Sequence, residues 1–378
     1  MDKILLGTSI AFIITFAAIP VIIQVADKKK LFDLPDERKV HLSPVPSLGG
    51  LGIFAGFILA CLFIIPMDIA SEFQYFFAAA LVIFFLGLKD DILVISPIKK
   101  FIGQLIAAFL IIFKGGVQIK SMHGFLGVYE LPDVMSLALT YFTVIVIINS
   151  FNLIDGVDGL AGSLGIMTSI IFGSYFYIVD QIPYAAMAFI LSGSLLGFLI
   201  FNHSPARIFM GDTGSLLVGL LNAIMVIRFI NVADSPGSQL PMLSSPAIGI
   251  AILMVPLFDT LRVFALRIFN RRSPFSPDRN HIHHLLLDKG LSHSAVTYTC
   301  VGINIVFIAF AFMARNWGAT YIILTMVGVA AAGTALLWYT NPRVTVYVDG
   351  ELKSGQPTIA NQRVLSFRKK ALVSPEDN

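Results

Sequence analysis

The chain has 378 residues, of which 56% are hydrophobic, only 13% are charged and 32 are phenylalanine. Soluble domains carry about 25% charged residues, so this composition excludes a soluble protein and indicates a polytopic membrane protein. The net charge of +3 does not indicate a nucleic-acid partner, because basic residues in membrane proteins mostly record orientation. Cys61 and Cys300 both lie in apolar runs, where packing is their expected role.

Apolar windows long enough to cross about 30 Å of hydrocarbon recur along the chain. About eleven are predicted, with approximate bounds 4–26, 48–66, 74–89, 98–114, 135–153, 159–179, 184–202, 216–233, 246–266, 296–314 and 318–340. The predicted fold class is therefore an all-α polytopic membrane protein. A transmembrane domain is expected over residues 1–342 and a short cytoplasmic tail over 343–378.

Basic residues predict the orientation of these windows. Lys28-Lys29-Lys30 follows the first window and should hold its end in the cytoplasm. Threading from there places the N-terminus outside and the C-terminus inside. The loops around 27–47, 89–100, 203–215 and 267–295 then face the cytoplasm together with the tail, and nearly all Lys and Arg lie there.

Two segments between and after the windows are typical of β-hairpins. Residues 115–132 hold short apolar runs around His123-Gly124 and are expected to form a small external hairpin. Val344 to Val348, followed by Asp349-Gly350, gives a similar signal in the tail.

Five aspartates, Asp90, Asp91, Asp155, Asp158 and Asp212, each lie just past the end of an apolar window. All five fall on the predicted cytoplasmic side, although they come from separate loops. A charge at the bilayer centre costs at least about 2.5–3.5 kcal/mol, so acids gathered at this face indicate a polar task, most simply binding of a divalent metal and a phosphate. The alternative for any single one is a helix cap or a solvated turn residue.

The motifs around these acids suggest how the task is divided. Adjacent Asp90 and Asp91 would point about 100° apart on a helix, so they are expected to serve different purposes. Asn149, Asn152 and Asp155 recur at steps of three and share one helical face. Glycines follow, where a ligand can approach the backbone, which is typical of a nucleotide-binding floor.

Residues 209–215 read Phe-Met-Gly-Asp-Thr-Gly-Ser. They offer an aromatic ring, the Asp212 carboxylate and backbone N–H groups ahead of the next window. Mg²⁺ suits this set best, because that ion is commonly held by one or two carboxylates together with substrate phosphates.

A histidine motif, His281-x-His283-His284, forms a second candidate site. Zinc is one interpretation, but the three side chains would not share one helical face. A cradle for a pyrophosphate, with Arg279 beside it, fits better, and an interfacial helix without a ligand stays open. Asp259 and Arg262 lie three apart in the ninth window, where an internal ion pair is favoured over a substrate role.

Taken together, Asp90-Asp91, Asn149-x-x-Asn152-x-x-Asp155-Gly156-x-Asp158-Gly159-Leu160-Ala161, residues 209–215 and the histidine motif resemble a known family. It is the polyprenyl-phosphate N-acetylhexosamine-1-phosphate transferases, glycosyltransferase family 4, and the likeness spans roughly residues 30–295. The His-x-His-His form resembles the undecaprenyl-phosphate branch that uses UDP-N-acetylglucosamine for O-antigen, common-antigen or teichoic-acid synthesis. The phospho-MurNAc-pentapeptide branch usually shows three consecutive histidines.

The resemblance implies a role for each matching position. Asp212 would bind Mg²⁺, with Mn²⁺ as an alternative ion, and Asp90 with Asp91 would be catalytic and serve the lipid-phosphate acceptor. The nucleotide-binding set would be Asn152, Asp155, Asp158 and Phe209, the sugar-pyrophosphate set Arg279, His281, His283 and His284, and the candidate phosphate contacts Arg38, Lys39 and His41.

The implied reaction moves N-acetylglucosamine 1-phosphate from UDP-N-acetylglucosamine to undecaprenyl phosphate and releases UMP, at the cytoplasmic face of a bacterial inner membrane. Direct attack by the lipid phosphate and a covalent aspartyl intermediate both fit, and direct attack is favoured because that nucleophile is already ionised. A homodimer is left open. The competing interpretations are the phospho-MurNAc-pentapeptide transferase and a secondary transporter of an anionic solute, although transporters usually place ionisable groups near the bilayer midplane.

Overall fold

Long apolar helices dominate the fold, which a computed structural model describes over residues 1–30, 45–233, 240–242, 244–271 and 280–340. The helices of these residues are α1 (Asp2–Lys29), α2 (Gly49–Ile64), α3 (Phe73–Ile92), α4 (Pro97–Phe109), α5 (Asp133–Ile154), α6 (Leu160–Ile178), α7 (Ile182–Asn202), α8 (Gly211–Ala233), α9 (Ser245–Ile252), α10 (Met254–Phe269), α11 (Ile282–Asp288), α12 (His293–Met313) and α13 (Ala319–Tyr339). A π-helical turn, Leu110–Lys114, continues α4, and a short 3₁₀ turn, Arg315–Trp317, precedes α13.

Seven of these helices are long and apolar enough to cross a membrane: α1, α5, α6, α7, α8, α12 and α13. An eighth span results if α9 and α10, which meet at an angle of 84°, count as one broken helix. The chain is therefore a helical, multi-pass membrane protein. This confirms the coarse fold class predicted from composition.

By length and hydropathy, the described residues contain seven or eight spans rather than the predicted eleven. Every predicted window coincides with a helix or a helical pair. However, α2 has 16 residues and α4 has 13, which is fewer than the roughly 20 that span a bilayer. The last turn of α3 carries Lys89, Asp90 and Asp91. Whether α2, α3 and α4 cross the membrane, and the direction of all the spans, stay predictions.

A two-stranded antiparallel sheet lies in the segment that was expected to form an external hairpin. Strand β1 (Ser121–Phe125) pairs with β2 (Val128–Glu130), and Ser121 lies opposite Glu130. The side of the membrane that it faces stays a prediction. The second expected hairpin lies in 343–378, outside the described residues.

Helix α8 forms the centre of the bundle, where it contacts α2, α3, α5, α6 and α9. The first turn of α8 packs so closely against α2 and α3 that no side chain fits at the two points of contact. A Cβ atom on Gly50 would lie 2.2 Å from the backbone nitrogen of Gly214, and one on Gly87 would lie 2.5 Å from Cα of Thr213. Glycines at these points let α2 and α3 approach the first turn of α8 at backbone distance.

The break between α9 and α10 is held by one buried side chain from α12. The side-chain nitrogen of Asn304 donates to the carbonyl oxygen of Ile252 at 2.9 Å, and its oxygen accepts the N–H of Val255 at 2.9 Å. Backbone groups freed at membrane depth need such partners, because no water is present to supply them. Asn304 therefore fixes the bend that sets the direction of α10.

Candidate functional site

The candidate site lies at one end of the bundle, called the acidic end here, where α3 and α5 end and α4 and α8 begin. Asp90 and Asp91 come from the last turn of α3, Asn152 from the last turn of α5, and Asp212 from the first turn of α8. Asp155 directly follows α5. Three segments that are distant in sequence thus bring Asp90, Asp91, Asp155 and Asp212 together.

Lys100, near the start of α4, joins three of these side chains. Its ammonium nitrogen forms an ion pair with Asp212, lies 3.2 Å from Oδ2 of Asp90 and donates to Oδ1 of Asn152 at 3.1 Å. The side-chain nitrogen of Asn152 donates to Oδ1 of Asp212 at 2.6 Å and to the hydroxyl of Ser215 at 3.0 Å. The result is a cluster of oxygen atoms already arranged around one positive charge.

Asp91 has a different environment from its neighbour, as expected for adjacent helical positions. Its Oδ1 accepts the N–H of Asp212 at 2.7 Å, and its Oδ2 accepts both the N–H and the hydroxyl of Thr213, at 3.0 and 2.5 Å. These N–H groups belong to the first turn of α8, which has no intrahelical partner for them. Asp91 thus caps α8 from another helix and positions Asp212.

The segment before α2 holds the same turn from a second side. The N–H groups of Gly49 and Gly50 donate to the carbonyls of Phe209 and Met210, at 2.9 and 2.8 Å. The N–H of Phe209 donates to the carbonyl of Pro46 at 2.8 Å. The Pro46-x-x-Gly49-Gly50 sequence therefore packs against the 209–215 motif. The preceding Arg38, Lys39 and His41 lie outside the described residues.

A second polar contact joins α4 to α5 one turn deeper. Gln104 and Asn149 exchange hydrogen bonds, at 2.9 Å from the Asn149 amide nitrogen and at 3.3 Å from that of Gln104. Gln104 lies four residues after Lys100, and Asn149 three residues before Asn152, so each pair shares one helical face. The polar face of α4 is thus matched to the polar face of α5.

Asp155 lies where the acids meet the histidine motif. Desolvation, followed by the charges of Asp212, Asp91 and Asp158, raises the pKa of its carboxyl group well above the usual value, while a backbone hydrogen bond from Gly211 opposes the shift. The next residue, Gly156, touches His283, because a Cβ atom there would lie 2.5 Å from Nε2 of that ring. The carboxylates and the histidines thus form one continuous site.

Asp158, which was expected in the nucleotide pocket, is engaged in contacts within the protein. It is buried, its Oδ2 accepts the N–H of Ala206 at 3.2 Å, and its Oδ1 lies 3.2 Å from Nδ1 of His293. Its carbonyl oxygen accepts the hydroxyl of Thr297 at 2.9 Å. Asp158 therefore ties the loop after α5 to the loop after α7 and to α12, and nucleotide binding by its side chain stays a prediction.

The histidine motif is fixed to α10 by the buried Asp259. Its Oδ2 accepts Nδ1–H of His281 at 2.8 Å, and its Oδ1 accepts the N–H of Ile282 and Nη2–H of Arg262, both at 2.9 Å. The ion pair with Arg262 that was expected from sequence is present. The ring of His283 stacks on that of His281, with centroids 5.5 Å apart, and lies 4.4 Å from the ring of His284.

Burial lowers the pKa of His283 to about 3, so this ring is neutral at physiological pH. The described residues contain no group of three or more His, Cys, Asp or Glu side chains arranged to hold a metal ion. Zinc at the histidines, one interpretation of the motif, therefore gains no support from these residues. Arg279 lies outside the described part of the chain.

Comparisons with known proteins identify the family of the chain. The model of glycosyl transferase family 4 matches residues 73–230. A decaprenyl-phosphate N-acetylglucosaminephosphotransferase of Mycobacterium leprae is 34% identical, over 89% of this chain and 84% of its own length. The chain belongs to glycosyl transferase family 4.

Two further relatives of this family 4 chain come from other bacterial groups. A probable undecaprenyl-phosphate N-acetylglucosaminyl 1-phosphate transferase of Bacillus subtilis is 31% identical, over 86% of this chain and 91% of its own length. An undecaprenyl-phosphate alpha-N-acetylglucosaminyl 1-phosphate transferase of Escherichia coli K12 is 30% identical, over 71% and 72%. The similarity thus extends well beyond the segment matched by the family model.

Sequence reasoning missed Lys100 at the centre of this family 4 site, because its charge was counted only as a sign of orientation. A signal was present. Lys100 and Gln104 are polar residues four apart on a helix that is otherwise mainly apolar, and such a pair marks a face turned toward a polar partner. His293 gave no comparable signal, since only the fold brings it to Asp158.

Proposed function

We propose that this protein transfers N-acetylglucosamine 1-phosphate from UDP-N-acetylglucosamine to undecaprenyl phosphate, with Mg²⁺, at the cytoplasmic face of a bacterial inner membrane. UMP and a lipid-linked sugar pyrophosphate are the products. The names of the relatives support both the transfer of N-acetylglucosamine 1-phosphate and a polyprenyl phosphate as the acceptor.

The observation that supports this function most strongly is the convergence of Asp90, Asn152 and Asp212 on the ammonium group of Lys100. Transfer of a phosphoryl group needs positioning and charge neutralisation more than covalent chemistry from the protein. A cluster that presents both carboxylates and a cation can hold a metal-bound diphosphate on one side and an incoming phosphate on the other.

The side chains present fit Mg²⁺. Oxygen ligands from carboxylates and amides are those that Mg²⁺ and Mn²⁺ prefer, and one or two protein carboxylates suffice when phosphates supply further ligands. Asp212, together with the Oδ1 atom of Asn152, would hold the ion. When bound, it would neutralise the diphosphate of the donor and stabilise the charge that develops on the leaving UMP.

We assign the chain's own residues to distinct tasks in a direct displacement. An oxygen of the lipid phosphate forms a bond to the β-phosphorus of the donor, and the bond from that phosphorus to the bridging oxygen breaks, so UMP leaves with that oxygen. The ammonium group of Lys100 stabilises the negative charge of the reacting phosphates. Asp90 accepts the proton of the lipid phosphate when this acceptor arrives as its monoanion. Asp91 positions Asp212 through the capped start of α8.

The donor would extend from this cluster toward the histidines. Asp155 and the partly exposed ring of Phe209 remain the candidates for the nucleoside. The histidine motif remains the candidate for the sugar pyrophosphate, and its continuity with Asp155 through Gly156 supports that assignment. Asp158 is assigned to holding the loop after α5 in place.

Two aspartate variants test the division of tasks. Asp212→Asn should remove turnover and also the Mg²⁺-dependent part of UDP-N-acetylglucosamine binding, because the ion bridges the protein and the donor. Asp90→Asn should bind the donor normally, while turnover falls by about 10²–10⁴, as for a missing general base. Calorimetry with and without Mg²⁺ separates the two. Indistinguishable donor binding, or full activity of Asp90→Asn, would refute the assignment.

A panel of donors tests whether the protein belongs to the branch of the family that uses UDP-N-acetylglucosamine. UDP-N-acetylglucosamine should be used, and UDP-MurNAc-pentapeptide should not. Efficient turnover of the peptide donor would contradict the branch assignment and leave the reaction type standing. Transport of an anionic solute into proteoliposomes, without UMP release, would instead support the transporter interpretation.

A further inference from the structure

Asp259 is buried, and its hydrogen bonds go to the histidine motif and to Arg262 on its own helix. Only 1% of its side-chain surface is exposed, and it accepts hydrogen bonds from Arg262, His281 and Ile282. A buried carboxylate with three donors has little capacity left for a substrate. Its role must therefore be exerted through the groups that it holds.

These groups fix the backbone on both sides of His281. Asp259 accepts the N–H of Ile282, while Nη2 of Arg262 donates to the carbonyl oxygen of Asn280. Arg262 also donates to Asp259, so one ion pair on α10 holds the residue before His281 and the residue after it. A strong, charge-assisted pair of this kind restricts the motif more than packing alone would.

The ring of His281 is fixed as well. Its Nδ1 atom donates to Oδ2 of Asp259, and its plane lies within 7° of that of His283. A carboxylate on Nδ1 selects the tautomer of a neutral imidazole, so Nε2 becomes the nitrogen that is free to accept a proton or a hydrogen bond. Nε2 of His281 has no hydrogen-bond partner among the described residues.

We propose that Asp259 is a positioning residue for the transfer reaction, which acts through His281 by fixing its tautomer and turning Nε2 toward the sugar pyrophosphate of the donor. This inference rests on the proposed function and adds to it the residue that sets the geometry of the histidine motif. The direction of α10 brings Asp259 to the motif, and Asn304 maintains that direction at the break after α9.

A double-mutant cycle in the full-length protein tests the proposal. Asp259→Asn removes the charge and the tautomer preference with little change in shape, and kcat/KM for the donor should fall by about 10–100-fold, as for other carboxylates that orient a functional histidine. KM for the polyprenyl phosphate should change less than about twofold, because the acceptor does not touch this motif. In a His281→Ala background, Asp259→Asn should cost less than about threefold.

The matched control is Asp180→Asn, at an exposed residue with a φ of 57°, a conformation that Asn tolerates well. This variant should keep wild-type kinetics. If Asp259→Asn does not fold, Asp259→Glu enters the same cycle, since it keeps the charge but displaces the carboxylate.

The possible results separate the two proposals. An equal loss from Asp259→Asn in both backgrounds would overturn the positioning role, since it would show an effect independent of His281. Wild-type kinetics of Asp259→Asn would overturn it as well. Failure of the wild-type protein to release UMP would instead count against the proposed function itself.

Discussion

Gly50→Ala should disable the site without changing any group that takes part in the chemistry. The added Cβ would lie 2.2 Å from the backbone nitrogen of Gly214, about 1.2 Å short of ordinary contact at 3.4 Å. The obstacle is backbone, so a side chain cannot simply move away, and overpacking of this kind costs about 1–3 kcal/mol. To relieve it, the first turn of α8 must shift by about the same distance, together with Asp212.

A displacement of about 1 Å at a reacting centre can cost 10²-fold in rate. We therefore expect kcat for UMP release to fall by about 10²-fold in Gly50→Ala, together with a weaker Mg²⁺-dependent binding of the donor. Steady-state kinetics and thermal unfolding in detergent are the assays.

Gly302→Ala is the control for this change. Gly302 lies inside α12, and a Cβ there would meet nothing within 4 Å, so the variant should be fully active and slightly more stable. Wild-type kcat and unfolding temperature in Gly50→Ala would refute the claim that backbone contact between α2 and α8 positions Asp212.

Three further changes test other parts of the account. Lys100→Gln should lower kcat by about 10²–10³, as for loss of one preorganised donor, whereas the exposed neighbour variant Lys99→Gln should not; equal activities would contradict the central role of Lys100. Asp180→Cys should react with an impermeant thiol reagent added outside intact cells and Ser204→Cys should not, and the reverse pattern would place the acidic end on the wrong side for a nucleotide donor. Asn304→Leu should destabilise the protein by about 1–3 kcal/mol in unfolding experiments, because two backbone groups at the break lose their partner; an unchanged stability would refute this.

Hydropathy predicted the helical class and the position of every helical window, because the need to match apolar length to the bilayer acts on local sequence. The number of spans is less directly readable. The windows at 48–66 and 98–114 look like spans in composition, whereas the α-helices α2 and α4 formed there have 16 and 13 residues. The count of eleven therefore stays a prediction.

The acids of the site could be predicted to converge, because each follows an apolar run and the runs share a direction. Their division of labour could not. Asp91 and Asp158 have the same sequence context as Asp90 and Asp155, but the structure engages their oxygens with backbone N–H groups of distant segments. Such contacts depend on how α3, α7 and α8 meet, which no local pattern records.

Asp259 shows the same limit for the histidine motif. Its pairing with Arg262 was readable from a spacing of three residues. The bond to His281 crosses 22 positions of sequence, and it depends on the bend between α9 and α10. Only the fold shows that the ion pair and the histidine motif form a single unit.

The most direct test of the central claim is UMP release by the purified protein from UDP-N-acetylglucosamine, with undecaprenyl phosphate and Mg²⁺ each omitted in turn. UMP should form only in the complete mixture, in equal amount to the lipid-linked sugar pyrophosphate, and none should form with Asp212→Asn. UMP formed without the lipid, product formed after complete chelation of divalent metal, or full activity of Asp212→Asn would contradict it.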